Sequence, residues 1–214
     1  LALQPDPASL WRQTASWALG YGLYLTGKKV EAQAAVEEAI RIGRSSPVRT
    51  TMIRSLALLG LIADDQGRAD EAETLSRQAL ELTEDEGLAE SPVVGAVFTL
   101  LGRIRARRGD VRGARAAHEH AFALQRYPVE RFHALVELLP IRHADDDDKG
   151  VQELLVEAGR LEATGIDFGV LPRRMKAVSW RFRTAEKVAG TLSAREVEVL
   201  RLLSGPLSLR DIGK

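Results

Sequence analysis

Apolar residues recur at helical spacing through most of the first 165 positions, broken at regular distances by short polar stretches. The pattern predicts a first helical hairpin from about Leu10 to Gly43, a second over residues 45–85 and a third over residues 91–125. After Pro128 it predicts a helix from Val129 to Ile141, a charged break at Asp145–Lys149 and a helix from Val151 to Ala163 with Leu154, Leu155, Ala158 and Leu161 on one side. These last two read as a fourth, diverged hairpin. The first three share their columns: Leu19-Gly20, Leu59-Gly60 and Leu101-Gly102 are each followed by glycine (Gly27, Gly67, Gly109), then by two alanines (Ala32, Ala72, Ala114 and Ala39, Ala79, Ala121). A large apolar residue (Ile40, Leu80, Phe122) and another two positions on (Ile42, Leu82, Leu124) close each unit. Self-similarity at such a period is the mark of a solenoid, in which each unit buries its apolar face against its neighbours.

Each column has a physical reading. Gly20, Gly60 and Gly102 lie inside helical runs, where glycine costs about 1 kcal/mol relative to alanine. Close approach of a neighbouring helix backbone is the usual compensation. Gly27, Gly67 and Gly109 precede polar residues and suit the left-handed residue that ends a helix. The alanines let paired helices sit close. Ser9, Ser46 and Ser91 are expected helix caps, the last two placed before first-turn prolines Pro47 and Pro92.

Leu-Gly, glycine seven later, then alanine at twelve and nineteen resembles the tetratricopeptide repeat over roughly residues 10–125. The unit is longer than the family's usual ~34 residues and lacks the proline that often closes it. Longer units of this kind resemble those of large bacterial transcription regulators. The expected fold is all-α: an antiparallel helix-hairpin solenoid of tetratricopeptide-like repeats followed by a truncated helix-turn-helix.

Composition narrows the function. The 214 residues hold 30 basic and 30 acidic side chains, so a surface generally adapted to nucleic acid is not expected. With no cysteine, disulfides and cysteine-ligated metals are excluded. No apolar run approaches the ~18 residues of a membrane span, and a cytoplasmic location is expected. The chain opens on Leu1 rather than methionine, which reads as a cut inside a longer protein.

The resemblance implies a concave groove lined by the first helix of each hairpin. By register with the glycines, its candidate residues are Trp17, Tyr21, Tyr24, Arg54, Leu61, Asp64, Arg103 and Arg107. Aromatic and arginine side chains make good anchors for a peptide or small ligand. The alternative is that the aromatics pack the end of the solenoid. The arginine-rich third hairpin reads either as a solvated face or as a partner surface. Gly22–Lys29 nearly spells a phosphate-binding loop, but Lys29 stands where a magnesium-binding hydroxyl is needed. His118 and His120 point to different helix faces and cannot share a metal, and His118 falls near the packed side. The four aspartates at 145–148 lack the alternation of a calcium loop and read as a solvated turn leading into a helix. No metal cluster and no nucleophile with a plausible base emerges, so an enzyme is not expected.

Residues 171–190 carry Arg173, Arg174, Lys176, Arg181, Arg183 and Lys187 against a stripe of Leu171, Met175, Val178 and Phe182. This basic amphipathic helix either caps the solenoid or lies near a phosphate backbone or partner. From Thr191 the chain opens with the capping box Ser193-x-x-Glu196, continues with Val197, Leu200 and Leu203 on one stripe, stops at Gly205-Pro206, and restarts near Ser208. The run Leu192, Ser193, Arg195, Glu196, Glu198, Val199 and Leu200 resembles the start of the LuxR-type DNA-binding domain; Gly205-Pro206 departs from that family's acidic-Gly turn. The groove-reading helix of that family lies beyond Lys214, so none of these residues is a base contact.

The expected organisation is therefore a repeat domain over residues 1–168, a basic helix or linker over 169–190, and the truncated helix-turn-helix over 191–214. Together the resemblances imply the sensor or protein-interaction region of a LuxR-type regulator, like the maltose-regulator class. Its partners would be DNA through the complete C-terminal domain and a small-molecule or protein effector in the groove, without a membrane, with self-association open. ATP would enter only through an upstream domain. The alternative is a tetratricopeptide adaptor that binds a protein partner without DNA.

Overall fold

The computed structural model describes residues 7–46 and 48–179. Within them the chain forms α1 (Pro7–Leu25), α2 (Lys29–Gly43), α3 (Arg49–Asp65), α4 (Ala69–Asp85), α5 (Gly95–Arg107), α6 (Val111–Leu124), α7 (Pro128–Ala144) and α8 (Asp148–Glu162), with a 3-10 turn at Pro92–Val94. Neighbours pair as α1/α2, α3/α4, α5/α6 and α7/α8, and the odd-numbered helices also meet in succession. The all-α hairpin solenoid is thus present, with four hairpins among the described residues.

One turn recurs inside all four hairpins. Gly27, Gly67 and Gly109 have φ of 80°, 76° and 77°. The residue after each donates its N–H back five positions: Lys28 to the Leu23 carbonyl and Arg68 to that of Ala63, both at 2.9 Å, and Asp110 to that of Arg105 at 3.0 Å. This is the Schellman ending, which satisfies carbonyls that a helix end otherwise leaves open. The fourth turn makes the same bond, Asp147 N–H to Arg142 carbonyl at 3.0 Å, but its left-handed residue is Asp146, at φ 54°. Counting from Asp146, Leu139, Val151 and Ala158 occupy the columns of the earlier glycines and alanines. The aspartate run is therefore a turn: Asp147 caps α8 by accepting from the Gly150 N–H. That bond, and then Arg142, holds its carboxyl below the usual range.

Close approaches fall at these glycines, but a neighbouring backbone comes near only at Gly20, while side chains take the space at Gly60 and Gly102. A Cβ on Gly20 would meet Val36 and the α2 backbone, one on Gly60 would meet Leu100 of α5, and one on Gly102 would meet the His118 ring. Small alanines face these sites: Ala32, Ala39, Ala72, Ala79 and Ala121 are fully buried.

Helix starts differ from the expected caps. Helix α1 begins at Pro7, so Ser9 lies inside it; proline suits a first helical position because its missing N–H is not needed there. Helix α3 begins two residues past Pro47 with Val48 at its N-cap, and the Ser46 hydroxyl accepts from the Val48 N–H instead. After Ser91, Pro92 opens the 3-10 turn and α5 follows from Gly95. Helix α7 also continues through Pro140, to Ala144 rather than Ile141. Proline leaves the Val136 carbonyl without its usual donor but does not end the helix.

The chain divides into two compact units, Leu1–Pro172 and Arg173–Lys214. Residues 171–179 are helical, in line with the start of the expected basic helix. The rest of that helix and the LuxR-like stretch at 191–214 lie outside the described residues. No described helix is long and apolar enough to cross a membrane.

The turn geometry makes a paired prediction. No atom crowds Gly67, so Gly67→Ala tests the backbone alone and should cost about 1–2 kcal/mol. Asp146→Gly should stabilise by roughly 0.5–1 kcal/mol, because it relieves the left-handed position and one carboxylate of the run. Urea unfolding of the two variants checks both signs.

Candidate functional site: a divided inner face

The inner face of α1 opens with a stack. The Trp17 and Tyr21 rings lie 5.7 Å apart, and the Arg54 guanidinium of α3 sits 3.4 Å above the Trp17 ring. Glu130 of α7 holds that guanidinium from the other side at 2.9 Å. Burial lowers the Arg54 pKa, and the Glu130 charge opposes the shift. Leu61 is buried beneath. These residues, with Leu58, Gln125 and His133, line a small, partly open cavity of about 20 Å³, room for one water. The Tyr21 hydroxyl and the Gln125 Oε1 are buried without partners among the described residues. Burial, then the Glu130 charge, pushes the tyrosine pKa well above its ordinary value.

A polar partition closes this half. Arg103 of α5 is 9% exposed and meets Glu137 of α7 in a fork, Nε to Oε2 at 3.0 Å and Nη2 to Oε1 at 2.6 Å. Its Nη1 donates to Asp65 at 2.8 Å and reaches Asp64 at 3.5 Å. Tyr24, 4% exposed, donates its hydroxyl to Asp65 at 3.2 Å, and its ring centroid lies 5.9 Å from that of His133. Burial alone would raise the Glu137 pKa; the Arg103 charge and the hydrogen bond from His133 reverse this and hold the carboxyl well below its usual range. Helices α1, α3, α5 and α7 are thus joined through charges.

Beyond the partition the face opens again. Asp64 pairs with Arg107, and together with Arg103 and Glu137 they border a cleft of about 560 Å³ between α5, α6 and the C-terminal half of α7. His118 lies along the same cleft, 2% exposed, with no partner for Nδ1 among the described residues. Its pKa is lowered to about 4, chiefly by burial; the Glu137 charge opposes the shift and the Arg103 charge adds to it.

A strap ties the fourth described hairpin to the first. Phe168, 3% exposed, stacks on Phe132 of α7 with centroids 4.6 Å apart. The Val170 N–H donates to the Leu25 carbonyl at the end of α1 at 2.8 Å. Between them Gly169, φ 59°, passes so near that carbonyl that a Cβ would overlap it.

All eight candidate groove residues therefore lie on one inner face, but not along one open groove. Trp17, Tyr21, Arg54 and Leu61 line the small cavity, Tyr24 stands in the partition, and Asp64, Arg103 and Arg107 border the cleft. Trp11, by contrast, is 75% exposed and takes no part. Sequence reasoning missed Asp65, Glu130, His133, Glu137 and the strap. The available signal was the spacing of Glu130, His133 and Glu137, which places three polar residues on one side of a helix whose middle, from Phe132 to Ile141, is otherwise apolar. The third hairpin's arginines are largely paired within the chain, Arg108 with Glu73 and Arg115 with Glu119 and Asp145.

Solved structures share the fold. BtubC (BKLC) from P. vanneervenii is 22% identical, covering 77% of this chain and 67% of its own, with a TM-score of 0.50. A Podosopora anserina protein named as a putative kinesin light chain, with nearly identical TPR-like repeats, is 18% identical, covering 92% and 98%, at a TM-score of 0.50. A single-substitution form of that protein is 18% identical at 0.51, covering 94% and 99%. No curated protein matches this chain. The family described as the MalT-like TPR region matches residues 1–195.

Two outcomes follow from the partition. Arg103→Leu takes the guanidinium from Glu137 and Asp65, leaving their other partners in place, and should cost about 3–5 kcal/mol, whereas Arg103→Leu with Glu137→Leu should cost clearly less than the separate changes added together. Urea denaturation of the full cycle reads this. His118 is neutral in the fold and titrates near 6.5 when unfolded, so its burial should cost nothing above that pH. As pH falls from 6.5 to 4 the unfolded state takes up the proton first, and stability should decline by up to about 3 kcal/mol. His118→Phe should lack this slope in unfolding curves compared across that window.

Proposed function

Because the chain belongs to the MalT-like TPR region family, we propose that it is the effector-sensing or protein-interaction region of a LuxR-type transcriptional regulator acting in the cytoplasm. Helical-repeat architecture supports the sensing or protein-interaction part. The LuxR part rests on the likeness of residues 192–200 to the opening of that DNA-binding domain. The observation that carries a switching role is Arg103, a buried charge shared among carboxylates of α3 and α7. Buried ion pairs contribute little net stability against an apolar alternative, yet removing one partner is costly. Opening such a contact is costly unless its charges are met by other groups, so an effector that supplies them would compensate the open arrangement. An effector or protein that favours the open arrangement shifts the population, and the inner face becomes available. The change is passed along the chain to the DNA-binding end, which it exposes or pairs.

The test is fluorescence-anisotropy binding to promoter DNA at two salt concentrations, for this chain and for the same chain extended to its natural stop codon. Sequence-preferring binding by the extended chain alone is expected. Equal, salt-erased binding by both would leave only phosphate attraction by the basic stretch. Absence of binding by both would replace the regulator with the adaptor reading.

A further inference from the structure

The cleft beyond the partition arises from a change in the repeat columns. The position after the first glycine column carries Tyr21, Leu61 and Arg103 in the first three hairpins, but Pro140 in the fourth. Three residues further on, Tyr24 and Asp64 give way to Ala106 in the third. At the next position Leu25, Asp65 and Arg107 give way to Ala144 in the fourth. Long side chains that fill the inner face in the first two hairpins are thus replaced by small ones where α5 faces α7, and the space they leave is the cleft.

Its chemistry is specific. The charged groups on its border are two acids and two bases, Asp64 with Arg107 and Glu137 with Arg103, already paired with each other. An ionic ligand would have to break a pair or be buried unpaired, both costly. The remaining wall is apolar, with Val111, Ala114, Pro140 and Ile141. Among the described residues, one polar atom of the residues lining the cleft is buried without a partner, the Nδ1 of His118, which is sheltered from water. A volume of about 560 Å³ falls inside the ~300–1,000 Å³ common for small-molecule sites.

We propose that this cleft binds a small uncharged molecule with an apolar body and one hydrogen-bonding end, the body against Ile141 and Val111 and the polar end toward His118. The neutral imidazole can accept or donate, so an alcohol or an amide fits equally. The proposal names the ligand class of the sensing role above and rests on that reading for its biological meaning, but not for the binding itself. A molecule seated there touches Arg103 and Glu137 and so bears on the partition.

The probe is 2-naphthol, an apolar body with a single hydroxyl, titrated into the whole chain at pH 7 and followed by its fluorescence, with 2-naphthoate as the charged counterpart. Saturable binding of 2-naphthol is expected, with 2-naphthoate at least about tenfold weaker. The double variant Ala106→Leu/Ala144→Leu fills the cleft from two exposed positions and should weaken binding at least about tenfold by occupying the space the ring needs. His118→Phe should weaken 2-naphthol several-fold by removing its partner atom. No saturable 2-naphthol binding, equal binding of the naphthoate, or binding unchanged in the filled variant would each overturn the proposal. Promoter binding is untouched by any of these results, so failure here and failure of the regulator reading are distinguishable.

Discussion

A guanidinium cannot be buried alone. Arg103 sits on α5 at a position that the repeat register turns inward, and its charge has to be met from more than one direction. Asp65 arrives from the end of α3, Glu137 from the middle of α7. That requirement fixes where the fourth hairpin sits against the second and third. Once α7 is there, Glu130 reaches Arg54 and His133 reaches Tyr24. Closure of the inner face is thus a consequence of charge pairing as much as of apolar packing.

The division that results changes what the face can do. On one side a stacked aromatic pair and an arginine are packed to the point of excluding all but a water-sized space. On the other, small residues leave a cleft whose charges neutralise one another. One repeated architecture therefore presents a tightly packed half and an open half, separated by a network of charges. Polar networks in a low-dielectric interior are strong when complete and costly when broken.

Most of the local structure was legible in the sequence. The glycine columns announced the left-handed turns and the close approaches; both occur at the named residues, with a neighbouring backbone making the approach only at Gly20. The fourth hairpin was read as a diverged one because Asp146 takes the glycine position of its turn; aspartate tolerates that backbone region through its short polar side chain. The serine-proline pairs pointed to helix starts but misplaced them by a few residues, since a 3-10 turn at Pro92 and an extended Val48 intervene. The inner face was read residue by residue, but its closure was not. Repeat columns describe how each hairpin packs on the next; they do not encode the cumulative curvature that brings α7 to α1. Side chains that matter only across that distance, such as Glu130 and Glu137, look like ordinary surface acids in the chain.

The strap has a consequence for how the repeat region comes apart. An open array of repeats behaves as a row of units coupled only to their neighbours, and it can fray from either end. Here the bond from Val170 to the Leu25 carbonyl and the stacking of Phe168 on Phe132 join the fourth described hairpin to the first. The row becomes a closed loop. Loss of one terminal hairpin then breaks two junctions instead of one, so partial unravelling is suppressed and the region is driven toward opening all at once.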